Sequence, residues 1–306
     1  MSSLISIRGL RKSYRQNEAV SGIDLDIPEG KVTAFLGPNG AGKTTTIKCA
    51  LNLLERGGGE ISVMGKDPRK LAPEDWRQIG YASENQPYPK WMNLCQWLDY
   101  LRPMYAEKWD TALEKTLLER FAVPTKVPLR SLSRGQRMKA LLLGSLAYRP
   151  RLIVLDEPFA GLDPLARDEI LSGLLELAET EQWTVWISSH DIEDIQRFAD
   201  RVIFLKNGKV EMQEDVESLL ARHRAVTVTF GDTPALPSPL PETWRHPVIS
   251  GRTLRYTDTC YDESRSKDEA VRMLPPFIRH EAHPLTLRDI FVSAAKPAEP
   301  QISVIL

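Results

Sequence analysis

A glycine-rich segment near the N-terminus has the spacing of a phosphate-binding loop. Residues 37–44 read Gly-Pro-Asn-Gly-Ala-Gly-Lys-Thr and fit the pattern G-x-x-x-x-G-K-[ST]. Glycines let the backbone N–H groups of such a loop turn towards an anion, and the positive end of the following helix attracts the same charge. The lysine then contacts the β- and γ-phosphates, and the last hydroxyl binds Mg²⁺. We therefore predict a nucleoside triphosphate site that consists of Gly37, Pro38, Asn39, Gly40, Ala41, Gly42, Lys43, Thr44 and Thr45.

Two adjacent acidic residues follow a second apolar segment. Residues 152–155 read Leu-Ile-Val-Leu and lead directly into Asp156 and Glu157. A carboxylate at the tip of a buried strand can hold Mg²⁺ together with Thr44, and its neighbour can take a proton from an attacking water. We predict that Asp156 is a metal ligand and Glu157 the general base. Acids that merely solvate the end of a strand are the alternative, which the phosphate-loop motif disfavours.

The pattern of apolar segments indicates the elements that position these residues. Short apolar segments at 32–36, 152–155 and 185–187 predict buried parallel strands, and helical spacing at 44–54 and 170–178 predicts the connecting helices. Ile23, Leu25 and Ile27 alternate with polar residues, which predicts an antiparallel strand with one solvent-exposed face. Residues 204–210 predict a hairpin around Asn207-Gly208. The fold class is therefore α/β.

A change in composition near Arg222 predicts a second domain. Residues 222–306 contain 10 of the 22 prolines, with a proline-rich linker at 233–241. Strands at 225–230 and 254–256, which we expect to pair, and a helix at 267–273 indicate a small α+β appendage. We predict domains at 1–221 and 222–306.

Composition excludes several other classes of protein. The chain has 306 residues, is 42% hydrophobic and 26% charged, and has a net charge of −1, which is typical of a globular protein and gives no sign of a nucleic-acid partner. Its longest segment without Asp, Glu, Lys or Arg is 11 residues, whereas a membrane span needs about 20 apolar residues. The first residues lack a signal-peptide pattern. The cysteines Cys49, Cys95 and Cys260 have no metal spacing and fit a reducing cytosol.

Further motifs in a fixed order carry a resemblance to a known family. Residues 132–136 read Leu-Ser-Arg-Gly-Gln, 161–164 read Gly-Leu-Asp-Pro, and 188–190 read Ser-Ser-His. With the two motifs above, this order resembles the ATP-binding subunit of ABC transporters over about residues 4–215. The segment 283–293 resembles the tail of the exporter-like subgroup. The resemblance implies a P-loop NTPase domain of the ABC type, with a mixed sheet core, an antiparallel β subdomain and a helical signature subdomain at about 87–147.

The resemblance also implies roles for individual residues. A helical stripe at 138–146 places residues 133–136 at a helix N-terminus, where an anion is favoured. The resemblance implies that this signature (Ser133, Arg134, Gly135 and Gln136) binds the γ-phosphate held by a second subunit, with Arg134 in place of a usual glycine. His190 would contact the γ-phosphate and the attacking water, although a lone histidine is more often structural. Asp163 would communicate across the dimer. Tyr14 would stack on adenine, and a half-buried strand tyrosine is the alternative.

One position departs from the family pattern. Glu84 stands where the family usually has the glutamine that touches Mg²⁺, and Gln86 follows two residues later. A carboxylate can also bind Mg²⁺, but it adds negative charge beside a triphosphate. Glu84 as the metal ligand is the preferred prediction, and Gln86 in a shifted loop is the alternative.

The expected function is an ATPase subunit that powers transport. ATP and Mg²⁺ are the implied cofactors. The implied partners are a second copy or a homologous ATPase subunit, forming an ATP-sandwich dimer, and an integral-membrane permease subunit. The resemblance implies that the permease contacts the neighbourhood of the aromatic stretch at 91–100, although we expect most of these aromatic residues to pack in the core. The expected location is cytoplasmic, peripheral on the inner face of the cell membrane. A soluble ABC ATPase with a mechanical or regulatory role is the alternative. It is disfavoured by the single nucleotide domain and by the interval of only 89 positions, broken by prolines, between Lys43 and Leu132.

Overall fold

The computed structural model describes residues 2–181, 183–193, 195–235, 239–295 and 303–305. The chain divides into two compact units, Met1–Gln213 and Glu214–Leu306. Within the described residues, none of the helices combines the length and the apolar character that a membrane span requires.

The first unit alternates strands and helices in the expected order. In chain order its elements are β1 (Ser3–Tyr14), β2 (Asn17–Pro28), β3 (Val32–Leu36), α1 (Lys43–Ala50), β4 (Gly58–Val63), α2 (Pro73–Trp76), β5 (Ile79–Ser83), α3 (Leu94–Leu101), α4 (Thr111–Phe121), α5 (Arg134–Leu146), β6 (Leu152–Asp156), α6 (Pro164–Glu181), β7 (Thr184–Ser189), β8 (Arg201–Lys206) and β9 (Lys209–Asp215). Short 3-10 turns occupy Pro68–Lys70, Arg102–Tyr105 and Leu129–Ser131.

A six-stranded sheet in the order β5-β6-β7-β3-β8-β9 forms the core of this unit. Strands β5, β6, β7, β3 and β8 run parallel to one another. Every residue of β3, β6 and β7 is buried, as continuous apolar segments of a parallel sheet predict. Strands β8 and β9 form the predicted hairpin, with Asn207 (φ 49°) and Gly208 (φ 73°) in its turn. The prediction of a mixed α/β sheet is confirmed.

A three-stranded antiparallel sheet, in the order β2-β1-β4, gives the predicted β subdomain. Ile23, Leu25 and Ile27 of β2 are buried, so the alternation indicates the correct face. They belong to one core cluster with Ile5 and Ile7 of β1.

The helices α3, α4 and α5 lie within the segment 87–147, where the helical subdomain is predicted. The predicted stripe on α5 is buried: Met138, Leu141, Leu142, Ser145 and Leu146. Two hydroxyl groups fasten α5 and the residues just after it to β5, because Ser145 Oγ donates to Tyr81 O at 2.8 Å and Tyr148 Oη donates to Ile79 O at 2.9 Å. These contacts hold the C-terminal end of α5 beside β5.

The second unit is an α+β fold around a five-stranded sheet. Its elements are α7 (Val216–Arg222), β10 (Arg224–Phe230), β11 (Trp244–Ser250), β12 (Thr253–Asp258), α8 (Glu263–Met273), β13 (Phe277–Pro284), α9 (Leu287–Ala295) and β14 (Ser303–Ile305). The sheet order is β13-β10-β12-β11-β14. Strands β10 and β12 pair antiparallel, with Val226 opposite Tyr256, as expected. Of the linker at 233–241, residues 236–238 lie outside the described residues.

The division between the units falls eight residues before the position that composition indicates. Helix α7 lies in the second unit. The side chain of Arg222 on α7 bonds Glu214 at 2.6 Å and also bonds the carbonyl of Thr259, both in that unit. The prolines of this unit begin at Pro234, after α7 and β10, so a boundary based on proline content falls too late along the chain.

Candidate nucleotide-binding site

The register of the parallel strands brings the predicted motifs to one edge of the sheet. Ser83 lies opposite Asp156, Asp156 opposite Ser188, and Leu36 opposite Ser189. Because these residues end their strands, the loops that follow all leave the carboxyl edge together. The phosphate loop, the Asp156-Glu157 pair, His190 and Glu84 therefore follow strands that end at one edge of the sheet, the edge at which open α/β sheets bind ligands.

The phosphate loop has the geometry that its glycines predict. Gly42 caps α1 with φ 109° and ψ 5°, and a Cβ there would meet the carbonyl oxygen of Ala19 at 2.5 Å. Only glycine fits this position, because the conformation is left-handed and the space is closed. The side chain of Lys43 is 5% exposed. Its ammonium donates to Gly37 O at 2.7 Å and to Pro38 O at 3.3 Å, so the loop already organises a buried positive charge at a helix N-terminus.

Asp156 is held by two hydroxyl groups. Thr44 Oγ1 donates to its Oδ1 at 2.9 Å, and Ser188 Oγ donates to the same oxygen at 2.8 Å. Burial raises the pKa of Asp156, and these hydrogen bonds oppose that effect. A hydroxyl and a carboxylate in contact are the hard oxygen donors that Mg²⁺ prefers, with phosphate oxygens and waters completing its shell. Thr44 and Asp156 therefore fit a magnesium ion that accompanies a bound nucleotide.

The Glu157 carboxylate lies between the Lys43 ammonium and the His190 imidazole. Its Oε1 is 3.0 Å from Lys43 Nζ, and its Oε2 is 2.8 Å from His190 Nδ1. Its backbone is left-handed (φ 52°), which is uncommon for a residue with a side chain and is typical of functional sites. The structure thus brings Lys43, Glu157 and His190 into one chain of contacts.

Ser188 is the first residue of the Ser-Ser-His motif, but the motif alone assigns it no role in the site. It donates to Asp156 and accepts the backbone N–H of Glu157 at 2.9 Å. One hydroxyl thus holds both carboxylate residues. Its signals in the sequence are its place directly after the apolar segment 185–187 and its position in the motif 188–190.

The signature residues lie at the N-terminus of α5, as the stripe predicts. Ser133 is the N-cap: its hydroxyl accepts the Gln136 N–H at 3.2 Å, and Gln136 Oε1 accepts the Ser133 N–H at 3.1 Å. This reciprocal capping box leaves a helix terminus with Gly135 in its first turn. The guanidinium of Arg134 lies 3.8 Å from Glu84 Oε1 of the same chain.

Two of the predicted residues stand apart from these contacts. Tyr14 is 47% exposed at the end of β1, with the Lys12 ammonium 5.6 Å from the centre of its ring. Asp163 accepts the N–H of Ala166 at 3.0 Å, which is the hydrogen bond of a helix N-cap at the start of α6. Their roles in adenine stacking and in dimer communication stay predictions.

Glu84 and Gln86 occupy different surroundings. Glu84 follows the last residue of β5 and pairs with Arg134. The backbone N–H of Gln86 donates to Ser83 O at 3.1 Å, and its side-chain Oε1 is buried without a hydrogen-bond partner among the described residues. Both residues therefore stay candidates for the position beside Mg²⁺, with Glu84 preferred.

Comparisons with known proteins show which family the chain resembles. A family model described as "ABC transporter" matches residues 20–160. The chain is 27% identical over 290 residues to the ABC transporter ATP-binding protein YtrB of Bacillus subtilis, covering 95% of this chain and 97% of that protein. It is 31% identical over 216 residues to the lantibiotic transport ATP-binding protein SrtF of Streptococcus pyogenes, covering 70% of this chain and 92% of that protein.

A solved structure has the same fold. The chain aligns with cbiO1 of Clostridium perfringens, described as part of the ABC transporter complex cbiONQ, with a TM-score of 0.59 and 27% identity. The alignment covers 72% of this chain and 92% of that one. The chain belongs to the family of ABC transporter ATP-binding proteins, the ATP-hydrolysing subunits that power transport through a separate membrane permease.

Proposed function

We propose that this chain hydrolyses ATP in a site that two ATPase subunits complete together, and that Glu157 is its general base. The observation that carries the proposal is the chain of contacts Lys43–Glu157–His190 beside the Thr44–Asp156 pair. One buried ammonium, one base and one pair of metal ligands are the parts that phosphoryl transfer to water requires.

The contacts of Lys43 suggest how the site receives a nucleotide. Its ammonium is paired with Glu157 and with two loop carbonyls. A triphosphate in the loop offers this ammonium a stronger, charge-assisted contact. Lys43 then releases Oε1 of Glu157, and that oxygen accepts a proton from the attacking water. A bound Mg²⁺ supplies charge neutralisation of the β- and γ-phosphates.

His190 is proposed to orient the base and to reach the γ-phosphate. Its Nδ1 contacts Glu157 Oε2 at 2.8 Å, and its side chain is 45% exposed. A histidine placed in this way fixes the carboxylate by one oxygen and leaves its outer ring edge open to substrate. This arrangement resembles the orienting pairs of other hydrolytic sites, in which one side chain holds the base of another.

The second half of the site is proposed to come from the signature of a partner subunit. The capped N-terminus of α5 leaves Ser133 exposed, with Gly135 buried behind it in the first turn, and a helix terminus attracts phosphate. A head-to-tail dimer places this terminus over the γ-phosphate bound to Lys43 of the other chain. The dimer consists of two copies or of this chain with a homologous subunit.

The location is proposed to be cytoplasmic, peripheral on the inner face of the cell membrane through the permease. The names of the relatives, which include a lantibiotic transport protein, support a role at a membrane.

The exporter-like prediction rests on the segment 283–293, which forms the end of β13 and most of α9. We also propose that the first unit carries the ATPase site and that the second unit is an accessory domain.

The dimer proposal predicts a shift in mass. The Glu157→Gln variant keeps Lys43 and the signature but lacks the base, so MgATP should hold two chains together instead of being consumed. Sedimentation velocity with MgATP should convert this variant from monomer to dimer. The variant that also carries Ser133→Arg should stay monomeric, because a bulky side chain then blocks the helix terminus. A Glu157→Gln chain that binds MgATP and remains monomeric at saturation would refute the composite site.

A further inference from the structure

Arg134 occupies an electrostatically unfavourable position unless an anion accompanies it. It is the first residue of α5, whose first turn contains no acidic residue. The helix dipole places partial positive charge at this end, which disfavours a cation there. The guanidinium lies 3.8 Å from Glu84 Oε1, and the two side chains are 63% and 31% exposed. Glu84 is thus the carboxylate that offsets the charge of Arg134 within one chain.

The guanidinium also lies against a second loop of the site. A Cβ on Gly161 would collide with Arg134 Nη1, and Gly161 has φ +66°. Gly161 belongs to the loop that follows Glu157 and leads into α6. Arg134 therefore lies between the loop after β5 and the loop after β6, both of which leave the same edge of the sheet.

A second arginine of α5 reinforces this contact. Arg137 Nη1 donates to Tyr88 Oη at 3.2 Å, and its guanidinium carbon lies 5.3 Å from the centre of the Tyr88 ring. The first turns of α5 thus hold the segment 84–88 at both of its ends. The position of Glu84 depends on α5 and not only on β5.

The negative charges at this edge of the sheet indicate why Glu84 is paired with Arg134. Three carboxylates, Glu84, Asp156 and Glu157, lie where a triphosphate is proposed to bind. Lys43 offsets Glu157, and two hydroxyl groups hold Asp156. Arg134 supplies the countercharge for Glu84. Without it, a carboxylate at this edge would repel the incoming phosphates.

We propose that Arg134 is a positioning residue that neutralises and holds Glu84 of its own subunit, so that a site with a carboxylate at this position accepts MgATP. The proposal rests on the proposed nucleotide site. It also explains why two departures from the family pattern, an arginine in the signature and a glutamate after β5, occur in one chain. Each residue removes the electrostatic cost of the other.

A double-mutant cycle on the monomer tests this proposal. The affinity of a fluorescent ATP analogue with Mg²⁺ is measured at a dilution where sedimentation shows single chains, so that no partner signature contributes. Arg134→Gln should weaken binding about threefold to tenfold in the native background, as expected for coupled neighbouring charges. In the Glu84→Gln background the same change should alter binding less than twofold. Arg134→Lys should retain most of the native affinity, because it keeps the charge.

Controls separate this pair from general charge effects. Arg130→Ala removes a positive charge from an exposed position of the same subdomain and should have the same small effect in both backgrounds. The coupling should also shrink in high salt, because the pair is partly exposed. Arg134→Gln effects that are equal in both backgrounds, or that couple instead to Gln86→Ala, would overturn the proposal. Failure of the native chain to bind the analogue would refute the nucleotide site itself, a different outcome.

Discussion

Lys43→Ala should abolish tight ATP binding. The Lys43 ammonium is buried within the phosphate loop, on two loop carbonyls and the Glu157 carboxylate, and we propose that it is the charge that contacts the β- and γ-phosphates. Its loss also leaves Glu157 without its countercharge, so the negative field of the site then opposes the nucleotide. We expect a loss of at least about 100-fold in affinity, in line with the removal of a charge-assisted contact and its countercharge. This loss of affinity is measured by equilibrium binding of a fluorescent ATP analogue.

Lys70→Ala is the matched control for this prediction. Lys70 is exposed in the turn Pro68–Lys70, so its removal changes the net charge equally but leaves the loop intact. Circular dichroism should show that both variants are folded. Native affinity in a folded Lys43→Ala chain would mean that residues 37–45 are a structural turn.

Glu157→Gln should bind ATP and hydrolyse it about 10²- to 10⁴-fold more slowly, the range for the loss of a general base. The amide has nearly the same shape as the carboxylate, so the contacts with Lys43 and His190 persist in weaker form while the ability to take a proton is lost. Single-turnover hydrolysis with enzyme in excess over ATP isolates this step from product release.

An exposed glutamate serves as the control for the base. Glu119→Gln, on the surface of α4, should hydrolyse ATP at the native rate. If Glu157→Gln also turns over at the native rate, the base lies elsewhere. His190, which contacts Glu157 directly, is then the first residue to replace.

The site elements that sequence predicts are those with a local signal. The phosphate loop, the Asp156-Glu157 pair and His190 each follow a short apolar segment, and parallel strands bring their carboxyl ends to one edge. Knowing the strands was therefore enough to place these residues together. The helix α5 was predictable because its apolar stripe starts directly after the signature.

The contacts that sequence does not predict depend on sheet order and packing. Ser188 reaches Asp156 because β6 and β7 are neighbouring strands whose register pairs these two residues. The sequence of neither strand specifies that register. Glu84 and Arg134 are 50 positions apart, and they meet because α5 packs against β5. Long-range pairs of this kind follow from tertiary packing, so each residue alone looks like an exposed charge.

Specific ATPase activity as a function of chain concentration tests the central claim most directly. In the proposed dimer one chain provides Lys43, Asp156 and Glu157, and the signature that faces the γ-phosphate comes from a partner. Positioning with electrostatic stabilisation supplies most of phosphoryl-transfer catalysis. The monomer should therefore be nearly inactive, and activity per chain should rise with concentration as dimers form. Specific activity that stays constant down to a dilution at which sedimentation shows only monomers would contradict the shared active site.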